Sequence, residues 1–129
     1  MRRNVVVARP EMPILEAARL MGNQDVGSIV ICEDDKPVGI VTERDFLRKV
    51  IAGSQDPKTT RLKDIMSAPV VCVNPSVSIR EAARLILENS IRRLPVVEEG
   101  KLVGIITARD ITGSILGTMA RQSVAVPAS

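Results

Sequence analysis

The chain has 129 residues and carries 18 lysines and arginines against 15 aspartates and glutamates, a net charge of +3. That length suits one compact domain or two very small ones packed together, with enough buried surface for a core. Because histidine, tryptophan and tyrosine are absent and Phe46 is the one aromatic residue, the composition excludes histidine-based catalysis, histidine metal sites and base stacking on aromatic platforms.

The sequence contains an internal repeat, with two copies of one unit. A shift of 65 residues aligns positions 5–51 with positions 70–116 without a gap. The motif EAARL at 16–20 returns at 81–85, and a Thr-x-Arg-Asp motif at 42–45 returns at 107–110. One copy is too small to bury its own apolar faces, so we expect the two copies to pack together about a pseudo-twofold axis.

Each copy has the pattern of a β-α-β-β-α unit, which is an α/β fold with helices over a small sheet. In each copy a β-branched strand precedes a proline-marked turn and an amphipathic helix, two strands joined by an acidic or glycine-bearing turn come next, and a second helix begins at a threonine. Pro13 suits the first turn of the first helix, and Ser78 with Glu81 predicts a capping box at the equivalent helix. The predicted elements are strands Val5–Ala8 and Val70–Val73, helices Ile14–Asn23 and Ile79–Asn89, strands Ser28–Cys32 and Leu94–Val97, strands Val38–Val41 and Val103–Ile106, and helices from Thr42 and Thr107.

This organisation divides the chain into a first repeat at 1–51, a linker at 52–69, a second repeat at 70–116 and a tail at 117–129. The linker is loop-like around Pro57 and has a short helical pattern near Leu62–Met66. Cys32 and Cys72 lie 40 positions apart in apolar segments, which excludes a CxxC site. We expect buried, reduced thiols, with one disulfide bridge as the alternative.

The segments GIVTERD at 39–45 and GIITARD at 104–110, with Lys63-Asp64-Ile65-Met66 in the linker, give the chain a family resemblance. It resembles a tandem pair of CBS domains, or Bateman module, over residues 5–116. The resemblance implies a non-catalytic sensor that binds AMP, ADP, ATP or an adenosyl compound between its two copies. It also implies a homodimer that regulates an unidentified partner protein, with no resident cofactor or metal.

The primary candidate site uses the start of the second helix of the second copy. A helix start offers unpaired N–H groups to a phosphate, and Asp110 can accept hydrogen bonds from ribose hydroxyls while Thr107 contacts sugar or phosphate. The same Thr-x-x-Asp spacing also describes a plain helix cap, and the two roles are compatible. Arg92 and Arg93 are suited to bidentate phosphate contacts, although a solvated arginine pair is the alternative. Arg109 could turn to phosphate or pair with an acid.

The adenine side of this site follows from the resemblance. Val26 and Gly27 of the opposite copy would flank the base, and Arg9 and Pro10 would close the cleft. With aromatic residues missing, aliphatic groups such as Val26 and Ile105 would sandwich the ring. A second cleft would use Ile40, Thr42 and Asp45 with residues 73–75, and because it has fewer cations we expect it to be empty or weaker.

The alternatives to a nucleotide sensor fall into three other function classes. The leading alternative is a ligand-independent dimeric scaffold protein. An enzyme is disfavoured because no nucleophile lies beside a visible base, and nucleic-acid binding because the excess of positive charge is small. No apolar run approaches the ~20 residues of a membrane span, and the N-terminus lacks a signal-peptide core, so we expect a cytoplasmic protein with no membrane partner.

Overall fold

The computed structural model describes residues 5–113 and contains both copies of the repeat. The first copy folds as β1 (Val7–Ala8), α1 (Ile14–Gln24), β2 (Ser28–Glu33), β3 (Lys36–Thr42) and α2 (Glu43–Asp45), which continues as a π-helical segment at Phe46–Ile51. The linker contributes α3 (Leu62–Ile65), and the second copy folds as α4 (Ile79–Asn89), β4 (Arg93–Glu98) and β5 (Lys101–Thr107), after which 108–113 are helical. The predicted α/β fold with a duplicated unit is confirmed.

The two sheets are related by the sequence repeat. In the first copy, β1 pairs with β2 in parallel and β2 pairs with β3 antiparallel. In the second copy, β4 and β5 form the same antiparallel hairpin. The strand predicted at 70–73 is reduced to one parallel bridge between Val73 and Val96, the counterpart of the Ala8–Ile31 pair in the first copy.

The first helices of the two copies end in a similar way but begin differently, because Pro13 before α1 makes no side-chain cap hydrogen bond whereas Ser78 before α4 does. In α4 the Ser78 hydroxyl accepts a hydrogen bond from the Glu81 N–H at 3.0 Å, which satisfies one N–H group of the first turn. Asp25 after α1 and Ser90 after α4 adopt left-handed backbone, with φ of 53° and 52°, and donate their N–H groups to carbonyls of the last turn. These residues therefore stop both helices before the strands that carry the site.

Both hairpins turn through two residues with positive φ. The turn residues are Asp34 and Asp35 in the first copy and Glu99 and Gly100 in the second, with φ of 49°, 68°, 51° and 80°. Two consecutive positive φ angles match the right-handed twist of an antiparallel pair. The acidic turns of the sequence are therefore the hairpin connections that were predicted.

The linker packs against the first copy. Leu62 and Ile65 of α3 join the core cluster of that copy, where Leu62 is completely buried. The Leu62 and Lys63 N–H groups donate to the Met12 and Pro10 carbonyls at 2.9 and 3.0 Å. Farther along, Ser67 exchanges two backbone hydrogen bonds with Ile40, at 3.0 and 3.2 Å, which extends the edge of β3.

The two copies meet along their second hairpin strands. β3 lies against β5, and the Leu102 N–H donates to the Asp35 carbonyl at 3.3 Å. Each copy keeps its own buried cluster, centred on α1, β2 and α3 in the first and on α4 and β4 in the second. The copies therefore pack side by side and leave a cleft at the strand ends.

Several predictions fall at the margins of this structure. Residues 114–129, which contain the predicted tail and the end of the second repeat, lie outside the described residues. Both cysteines are free, but Cys72 is exposed and Cys32 half-buried, so the prediction of buried thiols is wrong in detail. Across residues 5–113, no helix has the length and apolar character that a bilayer crossing requires.

Candidate functional site

A cleft of about 1030 Å³ separates the two copies at the ends of their strands. Its walls are the segments where β3 and β5 run into helices and where the chain enters β2 and β4. Ten of the predicted site residues line it: Val26, Gly27, Ile40, Thr42, Asp45, Arg92, Arg93, Ile105, Thr107 and Arg109. The fold thus brings lining residues of both the primary site and the second cleft to one continuous space.

The other three predicted residues take different positions. Asp110 lies directly behind the lining residue Thr107, to which it is hydrogen-bonded. Pro10 is buried, and its carbonyl accepts from the Lys63 N–H of the linker. Arg9 points to solvent with its side chain 87% exposed, 4.0 Å from the Glu11 carboxylate. The structure therefore does not bring Arg9 and Pro10 to the cleft.

The two helix starts in the cleft share a reciprocal cap. The Thr107 N–H donates to Asp110 Oδ2 at 3.0 Å, and the Asp110 N–H donates to Thr107 Oγ1 at 3.0 Å. In the first copy, the Thr42 N–H donates to Asp45 Oδ2 at 2.8 Å and the Asp45 N–H donates to Thr42 Oγ1 at 3.4 Å. The capping role is present in both copies, and it holds the Asp45 carboxylate in the cleft wall and the Asp110 carboxylate against the lining residue Thr107.

Asp45 also lies next to a cation. Lys49, one turn along the helix, lies 3.3 Å from Asp45 Oδ1 and donates to the Ile65 carbonyl at 2.7 Å. Since Oδ2 accepts from the Thr42 N–H, both carboxylate oxygens of Asp45 are engaged within the protein. A ribose would have to compete with Lys49 for this carboxylate, which agrees with a weaker second site.

Strand register places the arginines next to the cap of the second copy. Arg93 lies opposite Thr107 in the antiparallel pair, as Ser28 lies opposite Thr42 in the first copy. Directly opposed residues project from the same face of a sheet. The Arg92 carbonyl accepts from the Ala108 N–H at 2.7 Å, which holds the start of β4 against the helix.

The charge of the cleft is positive. Five arginines line it, against three acids: Arg44, Arg48, Arg92, Arg93 and Arg109 face Asp25, Glu43 and Asp45. Arg48 was not among the residues predicted from the sequence, although its position four residues after Arg44 indicates that both lie on one helix face. Such a cluster of guanidinium groups favours an anion, and phosphate above all because of its bidentate geometry.

The apolar walls of the cleft are aliphatic. They include Val26, Ile40 and Ile105, as expected, and four valines that sequence reasoning did not assign to the site: Val5, Val6, Val70 and Val71. These valines come from the strand regions at the start of each copy, so the repeat itself was the signal that could have found them. Residues 73–75, expected at the second cleft, are not part of its described lining.

Known proteins resemble this chain over most of its length. An uncharacterized protein from Methanopyrus kandleri is 42% identical over 85% of this chain, which spans 57% of that protein. The CBS domain-containing protein YhcV of Bacillus subtilis is 32% identical over 96% of this chain and 94% of its own length. A solved structure of a protein with CBS domains from Burkholderia ambifaria is 34% identical, covers 97% of this chain with 90% of its own, and superposes with a TM-score of 0.81.

Two further matches bear on assembly and catalysis. A hexameric CBS-CP12 protein from bloom-forming cyanobacteria is 39% identical with a TM-score of 0.78, over 87% of this chain and 66% of its own. Inosine-5'-monophosphate dehydrogenase of Methanocaldococcus jannaschii is 38% identical over 84% of this chain, but only 21% of that enzyme is matched. The model of the CBS domain family matches residues 1–52 and again residues 62–117, and the chain therefore belongs to the CBS domain family as a tandem pair.

Proposed function

We propose that this protein is a non-catalytic regulatory module that binds an adenine nucleotide in the cleft between its two copies. The observation that carries the proposal is the convergence of both capped helix starts and five arginines on one space lined by both copies. In this proposal guanidinium groups contact the phosphate, and the Asp110 carboxylate, which is hydrogen-bonded to the lining residue Thr107, accepts ribose hydroxyls. The preference for adenine rests on membership of the CBS domain family.

The cleft suits a signal because its ligand would touch both copies. A nucleotide held by Thr107 and Arg93 on one side and Val26 on the other would favour the relative arrangement of the copies that it fits best. A ligand shifts a conformational equilibrium only through such differential affinity. The regulated partner would then recognise the favoured arrangement, and no bond of the nucleotide needs to be broken.

Self-association is part of the proposal. The similar CBS-CP12 protein is hexameric, which supports self-association of this chain. In the present chain, Leu47 and Ile51 on the helix after β3 are 61% and 70% exposed, and Leu87 on α4 is 78% exposed. Large apolar side chains at the surface are typical of faces that a partner covers.

Calorimetric titration with AMP, ADP and ATP tests the nucleotide proposal. We expect at least one of them to bind with a Kd of about 1–100 μM, and Asp110→Asn to weaken it at least about tenfold, because a hydrogen bond to a charged group contributes about 1.5–3 kcal/mol. Asparagine keeps the shape of the cap, so the loss would report the carboxylate. Glu16→Gln on the exposed face of α1 is the matched control and should leave Kd unchanged.

The same titration separates this proposal from its alternative. A protein that forms a stable oligomer but gives neither heat nor a thermal upshift with any adenine nucleotide is a scaffold, and the nucleotide proposal is then wrong. If Asp110→Asn binds the nucleotide as tightly as wild type, the Asp110 carboxylate does not hold the ribose. No resident cofactor or metal enters the proposal.

A further inference from the structure

Equivalent positions at the rim of the cleft differ in charge between the two copies. The Glu43 N–H donates to the Gly27 carbonyl at 3.1 Å, and 65 residues later the Ala108 N–H donates to the Arg92 carbonyl at 2.7 Å. One backbone hydrogen bond thus joins glycine to glutamate in the first copy and arginine to alanine in the second. At this pair of positions the first copy therefore carries an acid and the second copy a base.

Glu43 and Arg93 approach each other across this rim. A Cβ atom placed on Gly27 would lie 2.8 Å from Glu43 Oε1 and 3.9 Å from Arg93 Nη2. The carboxylate and the guanidinium group are therefore at most 6.7 Å apart, the sum of those two distances. That separation is shorter than the Debye length of ~8 Å at physiological ionic strength, so salt does not fully screen the attraction.

The absence of a side chain at Gly27 makes this approach feasible. Any Cβ at that position would overlap the Glu43 carboxylate at 2.8 Å and would push it away from the rim. Glu43 is exposed and lies in the first turn after Thr42, where it contributes little to the core. Because Glu43 is not needed for the core, its carboxylate can act on the neighbouring Arg93 of the opposite copy.

We propose that Glu43 is a specificity-determining residue that competes with anionic ligands for Arg93 and limits how much affinity the cleft gains from each added phosphate. The inference rests on the proposed nucleotide function and adds to it the charge selectivity of the site. A phosphate chain that reaches Arg93 also comes close to the Glu43 carboxylate. Like charges repel, so the penalty grows from AMP to ADP to ATP.

Removal of this carboxylate should tighten binding in proportion to ligand charge. In Glu43→Gln we expect the Kd of ATP to fall about three- to fivefold, the size of an exposed ion-pair effect, and the Kd of AMP to change less than about twofold. Glu43→Ala, which installs the residue of the second copy, should do the same. Glu16→Gln removes one charge far from the cleft and should change neither Kd.

A double-mutant cycle tests whether the effect passes through the arginine. In the Arg93→Gln background, Glu43→Gln should change the Kd of ATP by less than about twofold, because the partner of the competition is gone. Equal gains with and without Arg93 would mean that Glu43 acts only through the overall field, and the proposed competition is then wrong. Thermal unfolding of each variant without ligand verifies that the fold is kept.

Titration with inorganic tripolyphosphate distinguishes the two proposals. If wild type binds ATP and Glu43→Gln behaves like Glu16→Gln, the charge-selectivity inference fails and the nucleotide function stands. If no nucleotide binds but Glu43→Gln tightens tripolyphosphate three- to fivefold, the nucleotide function fails and the inference stands. If wild type and variant bind neither probe, both fail, and weaker ATP binding by Glu43→Gln would overturn the competition by showing a favourable contact.

Discussion

The two copies share one backbone plan but are supported in different ways. The core of the first copy includes α3 of the linker, with Leu62 and Ile65 packed among residues from α1, β2 and β3. The described core of the second copy is built from its own elements, chiefly Ala82, Ile86 and Leu94. The duplicated sequence therefore specifies the unit, and α3 of the linker adds to the core of the first copy.

The largest effect is expected where the linker contributes a buried side chain to the core of the first copy. Leu62→Ala should lower the free energy of unfolding by about 3 kcal/mol, because a completely buried leucine leaves a cavity when it is truncated. Chemical denaturation with urea measures the change. Lys58→Ala, at an exposed position of the same linker, is the control and should change stability by less than about 0.5 kcal/mol. An equal effect of the two substitutions would show that α3 is not part of the core.

A smaller effect is expected at the helix caps. Thr107→Ala should cost about 1 kcal/mol, since Thr107 Oγ1 accepts from the Asp110 N–H at 3.0 Å. Thr42→Ala should cost less, because the corresponding distance in the first copy is 3.4 Å. Thermal unfolding without nucleotide compares the two, and Thr59→Ala in the exposed linker is the control. The reverse order would mean that the caps do not differ as their distances indicate.

The smallest effect concerns the thiol of each copy. Partial shielding from water raises the pKa of both thiols above the ordinary value, and Asp35 and then Cys72 raise the pKa of Cys32 further. A raised thiol pKa means less thiolate near pH 8, so both should alkylate more slowly than free cysteine, and Cys32 more slowly than the exposed Cys72. These thiols stabilise the fold at pH values below the unfolded pKa, and that contribution is lost as pH rises through the folded pKa.

Asp35→Asn sharpens this last prediction. Removal of the carboxylate should speed the alkylation of Cys32 by a few-fold and leave Cys72 unchanged, as measured by mass spectrometry after iodoacetamide treatment between pH 7 and 9. Equal acceleration of both thiols would contradict a local electrostatic cause.

Local patterns predicted the elements well. The α4 helix begins and ends where its apolar spacing and Ser78 indicated, and the hairpins turn at the acidic residues. The predicted strand at 70–73 shrank to the Val73–Val96 bridge, because Pro69 and Pro75 flank a segment that has only one edge on which to pair. Backbone pairing at an edge depends on the tertiary partner, which a local pattern does not contain.

The site was less predictable than the fold. The caps and the arginines followed from the repeat, so Thr107 and Arg93 were expected where they lie. The prediction that Pro10 lies in the cleft was wrong. Its carbonyl instead accepts from the Lys63 N–H of the linker, and no local sequence signal indicates this tertiary contact. The proximity of Glu43 to Arg93 also required coordinates, since these residues are 50 positions apart and belong to different copies.

The anchoring of the linker has a consequence for assembly. Ser67 is paired with Ile40 of the first copy and Val73 with Val96 of the second, so the five residues 68–72 connect the last anchor of one half to the first anchor of the other. The six steps from Ser67 to Val73 span less than about 22 Å even when fully extended. Such a short tether obliges each half to pair with its own chain, so domain swapping between protomers would first require α3 to leave its place in the core.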